Sequence, residues 1–172
     1  MQICKWLGVS AAIVPIGRNW TQAEFNLLDG SGNYIMVNPG RLPPFSNRAL
    51  YTGIAQKLRE RLGTSHEKWL RACDLGMTQV HLFPVADADV SRDFETVLRY
   101  KLQPPLQDQP RPLHLTAAQA ARRIGLDQIA DEAEAASSAD NAFASERRGL
   151  PALKPQNAFA VGLSRGPIKR DH

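Results

Sequence analysis

The chain is poor in cysteine, has few aromatic residues and contains no long apolar run. Its two cysteines among 172 residues, Cys4 and Cys73, offer no pairing logic and no Cys-x-x-Cys spacing. That argues against a disulfide framework and a cysteine zinc site and points to a reducing cytoplasm. The four histidines, His66, His81, His114 and His172, are scattered without zinc-ligand spacing. The apolar stretch 7–16 is too short to span a bilayer. It contains Pro15 and is followed by Gly17-Arg18-Asn19-Trp20 rather than a small-residue cleavage site, so it reads as a leading strand or loop, not a signal peptide. Charge of one sign is also scarce. The net excess is +4, compatible with a polyanionic partner without demanding one. What the chain does have is 43% hydrophobic residues, enough to bury one core.

Taken in order, Thr21 and Glu24 form a capping box for a helix over 22–28. The segment 29–32 is a turn, and 34–37 is a short strand. Asn38-Pro39-Gly40 and Pro43-Pro44 make 38–47 a loop. A second strand runs to about Thr52, and the pair is expected to be antiparallel. Gly53 is read as a sharp turn into a helix over 56–62. Ser65 is read as the cap of a helix over 66–74 that buries Trp69, Leu70 and Cys73. Residues 77–83 alternate as a third strand, with Val80 and Leu82 on one face and His81 and Phe83 on the other. The strongest helical pattern covers 87–102, with Phe94, Val97, Leu98 and Leu102 on one face. Residues 116–135 are alanine-rich and helical, with Ala117, Ala120, Ala121 and Ile124 in one stripe. Residues 116–126 look like the opening of a helix-turn-helix. The segment that follows carries Asp127, Asp131, Glu132 and Glu134, which phosphate would repel, so it reads as a packing helix. The organisation predicted is an N-terminal extension over 1–31 packing on the core, a compact domain over 32–110, a helical extension over 111–136 and a disordered tail over 137–172.

The polar residues of the compact part fall at telling intervals. Gly32-Asn33-Tyr34 precedes Tyr51-Thr52-Gly53, Arg61 lies ten residues after Tyr51, and Glu95 lies twelve before Gln107 in Pro105-Leu106-Gln107. In this respect residues 32–109 resemble the GIY-YIG endonuclease domain, with the two tripeptides, the arginine, the helix glutamate and the C-terminal amide in order. Asn33 stands where the family has an aliphatic residue, Gln107 where it has asparagine, and the loop between the tyrosines is longer than in compact members. The resemblance implies an α+β fold with a small three-stranded antiparallel sheet flanked by helices. It implies a catalytic set of Tyr34, Tyr51, Arg61 and Glu95, with Glu95 as the metal ligand and DNA as the substrate.

The chemistry agrees with those residue types. A single carboxylate suits magnesium, which keeps most of its waters, and manganese can replace it. Arginine grips phosphate oxygens in a fork. Tyr34 would act as general base or water positioner, and Tyr51 would position the phosphate or the water. Gly53, Lys57, Arg59, His66 and Gln107 would contact nucleic acid. A double-strand cut from one site would call for a homodimer. Taken singly, each residue has a plainer reading. Glu95 and Arg99 alone would make an i, i+4 pair worth about 0.2–0.5 kcal/mol. It is the joint spacing across four elements that favours a nuclease over a catalytically inactive nucleic-acid-binding module or a protein-interaction domain.

Overall fold

The computed structural model describes residues 2–17, 21–40 and 47–149. Short segments rich in β-branched and aromatic residues pair into one antiparallel sheet of β1 (Gln2–Trp6), β2 (Val9–Pro15), β3 (Gly32–Pro39), β4 (Asn47–Ala55) and β5 (Gln79–Pro84). The strand order is β1-β2-β5-β3-β4. The helices are α1 (Gln22–Leu28), α2 (Leu58–Arg61), α3 (Trp69–Asp74), α4 (Ala88–Leu102), α5 (His114–Arg123) and α6 (Asp127–Gly149). The chain is therefore α+β. Among the described residues, no helix is long and apolar enough to cross a membrane.

The sheet has five strands where three were expected. The three expected strands form the contiguous block β5-β3-β4, and the N-terminal segment adds two more beside β5. The missed hairpin turns on Leu7 and Gly8, both at positive φ (53° and 83°). That is the backbone of a two-residue hairpin loop, but leucine at its first position carries none of the usual Asn-Gly or Asp-Gly signal. The capping box of α1 is present, with the Glu24 backbone N–H on Thr21 and the Glu24 carboxylate on the Thr21 N–H.

Each face of the sheet carries its own core. On one, Tyr34, Met36, Leu50, Leu58, Val80 and Leu82 cluster with Ala72. On the other, Ile35, Val37 and Phe83 meet Phe94 and Leu98 of α4, and Trp6 covers them. The alternation read in the third strand thus holds. β4 is an edge strand, and the chain after α4 seals it. The Leu106 N–H donates to the Leu50 carbonyl, and the Gln107 Oε1 accepts from the Thr52 N–H at 3.3 Å. A bulge between Met36 and Val37 sets Leu50 as the extra residue beside that seal.

Three local expectations change. The helix over 56–62 shrinks to α2, because Leu62 is extended and Gly63 sits at positive φ. Ser65 does not cap α3, which starts only at Trp69 from an uncapped Lys68. With that start Ala72 faces the core, while Leu70 and Cys73 are exposed. The alanine-rich segment is two helices, broken at Gly125 (φ 72°). Ala120, Ala121 and Ala130 pack with Val97 of α4, and the Arg122 guanidinium takes up Asp131 and Glu134, so α6 is a packing helix. The expected disordered tail is helical as far as Gly149, and residues 150–172 lie outside the described residues. Of the loop over 38–47, Asn38 and Pro39 finish β3 and Asn47 opens β4. Residues 41–46 lie outside the described residues.

Candidate active site

Tyr34 stands in the middle of β3, directly opposite Gly53 in β4. A Cβ on residue 53 would sit 2.5 Å from the Tyr34 hydroxyl oxygen and 2.6 Å from the ring carbon bearing it. Gly53 is thus not the sharp turn expected. It lies within the strand, and its missing side chain is the slot that receives the Tyr34 phenol. Tyr51 is two residues back along β4, its ring 6.1 Å from that of Tyr34.

His66 closes over both rings, 5.9 Å from Tyr34 and 5.1 Å from Tyr51, edge-on to each. It is 2% exposed, so it does not present itself to a nucleic-acid backbone as the sequence suggested. Its hydrogen bonds fix its tautomer. The Lys68 backbone N–H donates to Nδ1 at 3.0 Å, so in the neutral ring the hydrogen is on Nε2. Nε2 lies 2.7 Å from the Tyr34 oxygen and donates to it. Burial first, and the Arg61 cation second, pushes the His66 pKa below the ordinary histidine value. The ring is neutral at pH 7, and Tyr34 receives a hydrogen bond from it rather than giving one.

Arg61 comes from α2 and acts on both tyrosine hydroxyls, favouring their anionic forms. Its other neighbour is Glu67, at 3.9 Å. Burial nevertheless dominates at Tyr34 and raises its pKa well above the ordinary phenol value, and Tyr51 is raised for the same leading reason. Glu95, on α4, is near enough for its charge to add to the rise at both tyrosines. Its carboxylate is half-buried, and burial raises its pKa, opposed by Arg99. No ion pair forms between Glu95 and Arg99. The Arg99 Nη2 turns instead to the Pro110 carbonyl at 2.7 Å. Among the described residues the Glu95 side chain has no hydrogen bond or ion pair, and no group of three metal-ligating side chains forms.

Lys57 and Arg59 do not join this cluster. On a helix two residues are about 200° apart, so Arg59 leaves α2 on the side opposite Arg61. It lies over the Phe25 ring at 5.0 Å, 3.5 Å from Asp29. Lys57 is exposed and pairs with Glu60 at 2.9 Å. Gln107 accepts from both the N–H and the hydroxyl of Thr52, next to Tyr51, and the longer amide reaches that strand edge. Asn33 is also built in. Its amide donates to the Ser91 carbonyl at 2.9 Å and accepts the Ser91 hydroxyl at 2.7 Å, tying β3 to the first turn of α4, the helix of Glu95.

Sequence reasoning missed Lys68, whose backbone sets the His66 tautomer, and Thr52, which holds Gln107. Neither act involves a distinctive side-chain pattern, so no motif pointed to them. No family model matches the sequence, and neither a curated protein nor a solved structure matches it.

Proposed function

We propose that the protein is a divalent-metal-dependent endonuclease that hydrolyses DNA phosphodiester bonds at a GIY-YIG-like site formed by Tyr34, Tyr51, Arg61, His66 and Glu95. The observation that carries this reading is the gathering of two tyrosines, an arginine and a histidine from β3, β4, α2 and the α2–α3 turn beside an unpaired, half-buried carboxylate. A carboxylate in that state fits a hard cation such as Mg²⁺ or Mn²⁺, because a bound cation would offset the hydration that burial removes. Glu95 would hold it, and the ion would supply Lewis acidity at the scissile phosphate.

The chain's own part follows from the hydrogen-bond directions. Tyr34 accepts from His66 Nε2–H and faces the Arg61 cation. Both interactions work against the burial that raises its pKa and favour a phenolate oxygen, the form that can take a proton from an attacking water. Arg61 is also the group able to grip phosphate oxygens as charge builds on them. Tyr51, flanking Arg61 and His66, is left to orient the phosphate or the water. His66 is a positioning residue: it holds the Tyr34 oxygen and, with Nδ1 committed to Lys68, cannot itself accept a proton from Tyr34.

Incubation of supercoiled plasmid with the protein tests the reading. Nicking that requires Mg²⁺ or Mn²⁺, stops with chelator and is lost in Glu95→Ala is the expected result. Plasmid binding without any nicking would instead make the protein a binding module of the same fold.

A further inference from the structure

Arg99, one helical turn beyond Glu95 and about 5.4 Å along the axis of α4, lines a small pocket of about 180 Å³ that the proposed chemistry does not use. Its polar lining is Arg99, Gln103, Gln107, Gln109 and Arg111, and Pro104 and Pro110 complete the wall. Arg99 is held in place by its Nη2 hydrogen bond to Pro110. Its Nε is buried and has no hydrogen-bond partner among the described residues. Leaving a buried guanidinium N–H unmet is costly, and such a group marks a place where something else supplies the acceptor. Arg111 is fixed as well, its guanidinium over the Tyr100 ring at 4.5 Å and its Nε on the Tyr100 carbonyl at 3.2 Å. Two cations are therefore anchored on the rim of one cavity, with three amide side chains between them. The carboxylate next in sequence, Asp108, is neutralised by Lys68 at 2.5 Å and does not line the pocket.

A pocket with two fixed guanidinium groups, amide donors and no acid takes a tetrahedral oxyanion. Gln107 joins it to the site, since its Oε1 is already spent on Thr52 beside Tyr51 and its amide N–H groups remain to donate. We propose that this pocket seats a backbone phosphate of the DNA strand next to the one being cut, so that Arg99 and Arg111 set the register of the strand over Glu95. The identity of the ligand as DNA rests on the nuclease reading; the oxyanion pocket itself does not.

The test separates the two. Duplex binding is measured as a function of salt in a Glu95→Gln background, which leaves the pocket intact and prevents cleavage. Gln109→Glu is then added, placing a negative charge in the pocket at an exposed position while keeping every hydrogen bond described above, and Arg111→Gln is added separately. For duplex DNA, each phosphate that the protein ceases to neutralise lowers the slope of log K against log salt by about 0.9. The expected result is a several-fold fall in affinity in both variants, and in Arg111→Gln a slope lower by about 0.9, the worth of one phosphate. Thermal unfolding of Gln109→Glu should be unchanged. Affinity and slope unchanged in both would overturn the phosphate pocket and leave the nuclease reading standing. The expected falls in a protein whose unmodified form never nicks DNA would support the pocket and overturn the cleavage. No binding of DNA at low salt by any form would overturn the seat for a DNA phosphate together with the nuclease reading.

Discussion

His66 and His81 are buried alike, at 2% and 0% exposure, and each has both ring nitrogens hydrogen-bonded. His81 accepts the Trp6 indole N–H at 2.8 Å on Nδ1 and, with its hydrogen on Nε2, donates to the Gln79 side chain at 3.0 Å. His66 accepts the Lys68 N–H and donates to Tyr34. Burial lowers the pKa of both, that of His81 to about 4. Their neighbours differ. His81 sits with Trp6 and Cys4, tying β1 to β5, and burial alone explains its shift. His66 sits among two tyrosines, Arg61, Glu67 and Lys68, whose charges act on it. A buried histidine is therefore not by itself a sign of chemistry. What distinguishes His66 is that it donates a hydrogen bond to the Tyr34 hydroxyl among charged side chains, whereas His81 donates to a neutral amide.

The comparison breaks or sharpens under substitution. The largest effect is expected in Tyr34→Phe. It keeps the ring in the Gly53 slot but removes the oxygen, and should slow nicking by about 10²–10⁴-fold, the usual worth of a general base. Single-turnover rates measure it, and a rate within threefold of the unmodified protein would remove Tyr34 from the chemistry. On the His81 side the expected effect is on stability. A histidine whose folded pKa lies below its unfolded value of about 6.5 leaves the unfolded chain binding more protons. Its cost is absent above pH 6.5 and grows as pH falls toward the folded value of about 4, reaching about 3 kcal/mol. Urea midpoints at pH 7 and pH 4 should show that fall, and His81→Gln should flatten it.

Gly53→Ala comes next. Its Cβ would collide with the Tyr34 hydroxyl at 2.5 Å, so the ring must leave its slot. Overpacking of this kind costs about 1–3 kcal/mol. Chemical unfolding should register it, and nicking should fall with it because Tyr34 moves. The smallest effect is expected in Gln107→Ala, which uncovers the Thr52 N–H at the edge of β4 for about 1 kcal/mol. A pH–rate profile sharpens the same end of the molecule. Since burial raises the Tyr34 pKa above the ordinary phenol value, the phenolate fraction and the nicking rate should climb steadily from pH 7 to pH 9. A flat profile would assign the proton to another group.

Much of this could be read in the sequence, for physical reasons. Alternation in 79–83 and the apolar stripe of α4 report faces that are buried, and burial is what periodicity measures. The capping box of α1 is a local interaction between residues three apart, so it needs no tertiary context. Tyr34, Tyr51, Arg61 and Glu95 stand out by their spacing, and in the fold the charges of Arg61 and Glu95 act on both tyrosines. The failures share a cause. The β1–β2 hairpin turns at Leu7, whose positive φ is imposed by pairing across strands rather than favoured by leucine itself. Gly53 reads as a turn because glycine is usually conformational, whereas here it is a steric vacancy whose meaning depends on Tyr34, nineteen residues away in sequence and opposite in register. His66 reads as a surface group because only the tertiary structure brings it against the Tyr34 and Tyr51 rings, with its Nε2 on a Tyr34 hydroxyl thirty-two residues away in sequence.

The most direct measurement is Mg²⁺-dependent nicking of supercoiled plasmid by the unmodified protein, Glu95→Ala and His81→Gln side by side at pH 8. Nicking by the unmodified protein and by His81→Gln, and none by Glu95→Ala, is the predicted result, because chemistry would then follow the tyrosine end of the sheet and not the second buried histidine. Equal nicking by Glu95→Ala, or no nicking by a folded unmodified protein that binds the plasmid, would contradict the account.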